Sequence, residues 1–171
     1  MTSLALYEDL LGLGETLSLP RGIRVLYVAS GEASSLRANE AWFGTDEVEL
    51  KAGGEGATVL RWELTEWEPA DAKLAAHVDL DPWEEYVMRC ERIGAGAGEM
   101  VELGPPQGIA CLLRGELRIG GETVGPFGAW VEPAGQGEAE TQGTALVRVS
   151  LTVAEDLSAG GELLAEERVR L

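Results

Sequence analysis

Few residues in this 171-residue chain have the chemistry to form a site. There is one histidine, His77, in the run HVDLD with Asp79 and Asp81. A His–Asp pair of that kind could act as a general base. A short polar loop following a linker is more often solvated than catalytic, so a solvated role is the first expectation for His77. Two cysteines, Cys90 and Cys111, lie in the apolar strand-like runs VMRC and IACLL. Their separation matches neither a CxxC pair nor a zinc-ligand spacing, so buried free thiols are expected. The stretch PAGQGEAETQ, 133–142, sets Glu138, Glu140 and Gln142 behind a Pro133-Ala134-Gly135 corner. Residues two apart on a strand share a face, so a regular strand would present these three together.

The bulk numbers restrict what such residues could serve. Thirty acids against thirteen bases give a formal net charge of −17. That field repels phosphate backbones and anionic lipid surfaces, so no nucleic-acid and no membrane partner is expected. Solubility is the ordinary use of such acidity, and attraction of a basic partner the other. The N-terminal run MTSLALYEDLLGLGE has acids and no basic leader region, and the apolar runs are too short for a bilayer span. A cytoplasmic location fits these features. An apolar fraction of 45% and a charged fraction of 25% are ordinary for a globular chain with a real core.

The elements that would hold these residues are almost all strands. Leu4, Tyr7, Leu10 and Leu11 stand at helical spacing in LALYEDLL, which predicts one or two helical turns capped by Ser3. After Pro20 the pattern is β throughout: 22–29, one or two strands in 40–56, 57–67, a long strand in 77–93, 99–103, and a strand pair over 108–119 broken near Gly115. Gly120-Gly121 signals a hairpin, and strands follow in 122–135 and 144–153. The tail reads as a short helix followed by an edge strand. Short strands separated by glycine turns, with no βαβ unit, predict an all-β jelly roll, barrel or sandwich. EPADAKLAA, 68–76, is the most linker-like segment and divides the chain into a β-rich half, 1–76, and a barrel with a C-terminal tail, 77–171. The segments 48–64 and 101–117 match at eight of seventeen positions. That echo reads equally well as duplication or as shared composition.

The turn residues of the rear half carry a family likeness. Gly96, Glu102, Gly104, Gly108 and Gly115 stand where the first motif of the cupin superfamily has its glycines, a His-x-His pair and a Glu. Gly128, Pro133, Gly135, Glu138 and Gln142 stand where the second motif has its glycine, Pro-x-Gly corner, His and Asn, with one residue fewer after the first glycine. Over about 84–153 the chain therefore resembles a cupin. The resemblance implies a jelly-roll barrel with additional N-terminal strands, or a compact bicupin. Cupin barrels often hold one metal, but their ligand positions fall here on Glu102, Gly104, Gly108 and Glu138. Two carboxylates without imidazole are a poor set for a transition metal. No metal and no cofactor are expected.

If Glu102 keeps the inward place of a ligand, Met100, Gly104, Gly108, Ala110 and Leu112 share its parity, and Glu138 and Gln142 face them. The expected small-molecule pocket is then apolar with two carboxylates and an amide, lined by Met100, Glu102, Leu112, Glu138 and Gln142. Close carboxylates would raise one another's pKa and could do acid–base work, or could pair with Arg89, Arg92 or Arg114. The five tryptophans are expected to pack, with a homodimer face as their use if several are exposed. The leading functional reading is a non-catalytic small-molecule-binding or sensing module. A metal-free isomerase, epimerase or lyase, and a ligand-free interaction barrel, are the alternatives.

Overall fold

The computed structural model describes residues 2–66, 73–82, 84–103, 107–132, 134–153 and 161–170, and among them every regular element is a β-strand. The front sheet comprises β1 (Ser3–Leu11), β2 (Thr16–Leu19), β3 (Arg24–Ala33), β4 (Leu36–Arg37), β5 (Ala41–Gly44), β6 (Val48–Thr65) and β7 (Leu74–Asp79). Its order is β4-β3-β6-β1-β7, with β2 on β6 and β5 on β3. The rear half supplies β8 (Glu85–Ala95), β9 (Met100–Leu103), β10 (Gly108–Arg114), β11 (Leu117–Ile119), β12 (Glu122–Val124), β13 (Ala129–Glu132), β14 (Gly135–Ala139), β15 (Thr144–Thr152) and β16 (Glu162–Arg170). These form a five-stranded sheet, β13-β10-β15-β8-β16, and a four-stranded sheet, β12-β11-β14-β9. The boundary expected at 76/77 falls inside β7, which pairs with β1.

Three apolar clusters fill the spaces between the sheets. The largest joins the halves: Leu4, Leu6, Val25, Tyr27, Leu60 and Trp62 of the front sheet meet Met88, Cys90, Ile109, Cys111, Val147 and Val149 of the five-stranded sheet. The indole Nε1–H of Trp62 donates to the Ile109 carbonyl at 3.0 Å across that contact. A second cluster, with Leu26, Val28, Leu50 and Val59, lies on the other side of the front sheet. The third, with Val101, Leu103, Ala110, Leu112, Leu117 and Leu146, fills the rear barrel between its two sheets. The five-stranded sheet is therefore covered on both faces, and β15 is buried at every position but its last.

The helix expected over 4–11 is strand β1 instead. The strand period explains the same leucines: Leu4 and Leu6 enter the shared core, whereas Leu10, which the helical face required, is exposed. Pairing with β6 on one side and β7 on the other satisfies the backbone, and tertiary burial overrides a weak local signal. Asp9 on the opposite face is fully buried and bound by Arg61 at 2.8 Å, which pins β1 to β6. The single strand expected over 77–93 is split into β7 and β8 around Pro82, which cannot donate to a ladder.

Other expectations hold. The hairpin at Gly120-Gly121 joins β11 to β12, with both glycines at positive φ (57° and 85°), as the tight turn demands. The strand pair breaks at Gly115, and β16 lies at a sheet edge. The tail, expected to be a short helix and an edge strand, is the strand β16 with no helical turn over its described residues, 161–170. Of the two echoing segments, 48–64 belongs to one continuous strand, β6, whereas 101–117 is divided among β9, β10 and β11. Gly31 and Gly56 mark where β3 and β6 approach closely: both have φ of 75°, and a Cβ on Gly31 would lie 2.0 Å from the Gly56 carbonyl oxygen.

Candidate functional site

The carboxylates singled out from the sequence do not line the rear barrel. On β9 it is Val101 and Leu103 that face the apolar interior, and Met100 and Glu102 face solvent. On β14, Gly137 and Ala139 are buried, and Glu138 faces outward to form an ion pair with Arg118, which also reaches Glu140 at 3.3 Å. Gln142 is exposed. Only Leu112 of the five expected lining residues is inside, packed in the rear cluster. The inward parity assigned to Met100, Glu102 and Glu138 is thus corrected by one position, and Gln142 stands in the turn after β14. A strand slipped by one residue exchanges its faces entirely, and the hydrophobic partners Val101, Leu103 and Ala139 decide which face is inside. The ion-pair partner of Glu138 is Arg118, not Arg89, Arg92 or Arg114.

Gly108 leaves no gap for a ligand. A Cβ there would meet the Val149 carbonyl oxygen at 3.1 Å, the Ser150 Cβ at 3.3 Å and the Glu132 Cγ at 3.4 Å. Gly104 and Pro133 lie outside the described residues. His77 is exposed on β7, and Asp79 accepts a hydrogen bond from Ser3 Oγ at 2.7 Å. Cys90 and Cys111 are buried free thiols, as expected; burial pushes both up, Cys111 to about 12, which leaves them unreactive. Trp62 is fully buried, and Trp42 and Trp130 are half-buried. Trp67 and Trp83 lie outside the described residues.

Below the rear apolar cluster the barrel interior carries a polar layer. Arg148, from the middle of the apolar run ALVRVSL, is fully buried and bonds Glu91 through Nε and Nη2, both at 3.1 Å. Glu132 is buried beside it, accepting from Trp130 Nε1 and the Ala134 N–H, each at 3.3 Å. Burial raises the Glu132 carboxyl above its ordinary range, against the lowering effects of the Ala134 N–H, Arg148 and Trp130. Among the described residues no buried side-chain nitrogen or oxygen lacks a hydrogen-bond partner. This layer is an internally closed network.

The residues present do not fit the metal that cupin barrels often hold. The matching positions that are described carry no imidazole, the two carboxylates there point away from the interior, and the lone His is on the outer part of another sheet. Among the described residues no three His, Cys, Asp or Glu side chains gather as a metal would require.

Open space is found elsewhere: a hollow of about 510 Å³ lies in the front half, lined by Gly31, Glu32, Gly53, Gly54 and Glu55, and another lies between the halves. The latter, of about 350 Å³, is lined by Ala29 and Asn39 of the front half and by Arg92, Leu113, Arg114 and Ala145 of the five-stranded sheet. A second, of about 230 Å³, adjoins it through Arg92, Arg114 and Ala145. Two irregularities create it. The β3–β6 register slips between Val28 and Ser30, at Ala29, and the β10–β15 register slips between Leu112 and Arg114, at Leu113. Both bulged residues line the same hollow, and bulges commonly re-aim chains beside functional sites. Ala145 pairs with Arg114 on one side and Gly94 on the other, so the row between the arginines has almost no side-chain volume.

The polar groups around the hollow are held in place. Tyr27 donates its hydroxyl to Asn39 Oδ1 at 2.7 Å, and Arg92 donates to Glu162 at 2.5 Å. Burial raises the Tyr27 phenol, with Arg92 opposing. Arg114 gives its Nε–H to the Gly143 carbonyl at 2.8 Å, and no carboxylate among the described residues forms an ion pair with it. The sequence offered only a faint sign of this site. Arg92 and Arg114 are charged residues ending apolar strand runs, but Ala29, Asn39 and Ala145 carry no local signal.

No protein-family model and no curated protein matches the chain. Similar solved structures include the following two. The cupin 2 conserved barrel domain protein from Leptotrichia buccalis is 15% identical, with 88% of this chain and 84% of that chain covered and a TM-score of 0.48. The bacterial pirin YhhW from Escherichia coli, solved in complex with nickel(II), is 11% identical, with 85% and 81% covered and a TM-score of 0.52. At such identities the likeness concerns the fold alone. No helix among the described residues is long and apolar enough to cross a membrane. Antiparallel sheets enclosing an apolar barrel interior, turn glycines at cupin positions and the match to pirin together give this chain the fold of the cupin superfamily.

Proposed function

We propose that this chain is a cupin-fold small-molecule-binding module that works without a barrel metal and without catalysis, its ligand seated in the hollow between the halves. The observation that carries the reading is the meeting of the two bulges, at Ala29 and Leu113, around one open space of about 350 Å³. That volume suits a small metabolite. Two packed sheets place preformed polar groups around it, which keeps the entropic cost of binding low. The closed Arg148–Glu91 layer and the outward Glu102 and Glu138 support a barrel whose interior serves packing.

A second reading has one observation in its favour. Glu132 is a buried carboxyl with a raised pKa beside a buried arginine, and such groups cluster at catalytic sites. A metal-free acid–base enzyme would use it. Its hydrogen bonds to Trp130 and Ala134 also make it a structural member of the layer, and the binding reading needs no such step.

The test is a thermal-shift screen of charged and neutral metabolites on purified protein, together with elemental analysis. A ligand at a hundred times its Kd stabilises by about 2.7 kcal/mol, roughly 5–11 °C for a chain of this size. Saturable shifts from at least one compound, with transition metal far below one equivalent, are expected. No shift from any compound, or a stoichiometric transition metal, would overturn the reading.

A further inference from the structure

We infer that the ligand of the hollow is a small anion, a carboxylate- or phosphate-bearing metabolite held by Arg114, Arg92 and Asn39. This rests on the binding reading above and adds the ligand's chemistry. The lining of the hollow of about 350 Å³ contains two guanidiniums, one amide and three apolar residues, and no acid. On a chain with thirty acids and thirteen bases, a lining without acids that bears Arg114, which has no ion-pair partner among the described residues, is a local reversal of charge.

The hydrogen-bonding inventory points the same way. Arg114 spends its Nε–H on Gly143, which leaves the two terminal nitrogens of a planar fork suited to a carboxylate or phosphate. Asn39 uses its Oδ1 to accept from Tyr27, so its Nδ2 group is left as a donor. Arg92 is ion-paired with Glu162 at 2.5 Å at the shared wall of the two hollows, so Arg114 supplies the uncompensated charge. The site is rich in donors and poor in acceptors, so its occupant must accept hydrogen bonds and carry negative charge. Ala29, Leu113 and Ala145 provide apolar walls for a short hydrocarbon stem. Asn39 holds its position at φ 69°, a conformation asparagine tolerates better than most residues.

The experiment is calorimetric titration at low ionic strength with succinate, inorganic phosphate and the neutral analogue succinamide. The proteins are the full chain and its Arg114→Gln, Asn39→Asp and Arg21→Gln variants. Arg114 and Arg21 are exposed, and the carboxylate introduced by Asn39→Asp would still accept from Tyr27, so all three variants should fold, with Arg114→Gln losing only the exposed bond to Gly143. Succinate, phosphate or both are expected to bind saturably, and the better binder identifies the source of the charge. Succinamide is expected not to bind. Arg114→Gln should weaken the anion about tenfold, near 1.4 kcal/mol. Asn39→Asp should weaken it at least as much, and Arg21→Gln should leave it unchanged. Equal binding of succinamide, or anion affinity untouched in both pocket variants, would overturn the anion assignment and leave the binding reading standing. Hits confined to neutral compounds in the wider screen would do the same, whereas an empty screen would sink the binding reading itself.

Discussion

Trp62→Phe tests whether the two halves are one body, on which a preformed hollow between them depends. Trp62 is the largest fully buried side chain and packs in the cluster shared by both halves. The substitution deletes the Nε1–H that reaches Ile109 on the opposite sheet. Losing that bond and stranding a buried acceptor costs about 1–3 kcal/mol. The smaller ring adds a cavity cost below the roughly 3–5 kcal/mol typical of complete truncation of a large aromatic. A total of about 2–4 kcal/mol follows, and at roughly 2–4 °C per kcal/mol for a chain of this size the melting temperature should fall by about 4–16 °C. Circular dichroism and differential scanning calorimetry would follow it. One cooperative transition, moved as a whole, is expected, since β8, β10 and β15 lose the same partner as β1 and β3. Two transitions, of which only one moves, would refute the shared core and with it the rigid wall between Ala29 and Leu113.

Three further outcomes follow from the same contacts. Arg148→Met leaves Glu91 buried with only Arg89, at 3.9 Å, as a neighbouring cation among the described residues. It should cost about 3–5 kcal/mol in urea unfolding, with much of the loss recovered in Arg148→Met/Glu91→Leu, because the penalty is the stranded charge rather than the missing pair. The Glu132 carboxyl holds its proton more tightly folded than unfolded, so stability should fall as pH rises from near 4.5 through the raised folded value and level off above it. Glu132→Gln should flatten that decline in urea melts between about pH 4 and 8, and an unchanged pH profile would remove Glu132 as its source. Gly115→Ala should cost more than about 1 kcal/mol, because φ is +79° and the new Cβ would lie 2.4 Å from Thr144 Oγ1.

Much of the fold was legible because it is written in short-range rules. Gly120-Gly121 fixes a hairpin by its backbone freedom alone, and Gly115 breaks the strand pair for the same reason. Cys90 and Cys111 announce burial by the apolar runs around them. The first strand failed because LALYEDLL satisfies two periods, and only the presence of β6 and β7 on either side selects the strand. Glu102 and Glu138 failed for a related reason. A family spacing gives the place along the chain, but which face of β9 turns inward is settled by Val101 and Leu103, and a single step of register reverses it.

The hollow was beyond the sequence for a deeper reason. Its wall is built from Ala29, Asn39, Arg92, Leu113, Arg114 and Ala145, which come from separate segments and meet only across two packed sheets. Three of the six contribute by having little to offer sterically or by sitting at a slipped register. Periodicity and motif spacing register what side chains are, whereas a cavity depends on where neighbouring strands put no side chain at all. Arg148 was the nearer miss: a charge in the middle of ALVRVSL is costly to bury, and its presence requires a buried partner somewhere in the fold. That partner is Glu91, and together they occupy interior space in the rear barrel. The barrel interior is thereby closed by its own charges, and the unclosed guanidinium of Arg114 stands at the other side of the same sheet. The two arginines differ in what the chain has given them. One has a buried carboxylate for its fork and so contributes to structure. The other has a single backbone carbonyl for Nε, and its remaining donors stand at the hollow between the halves.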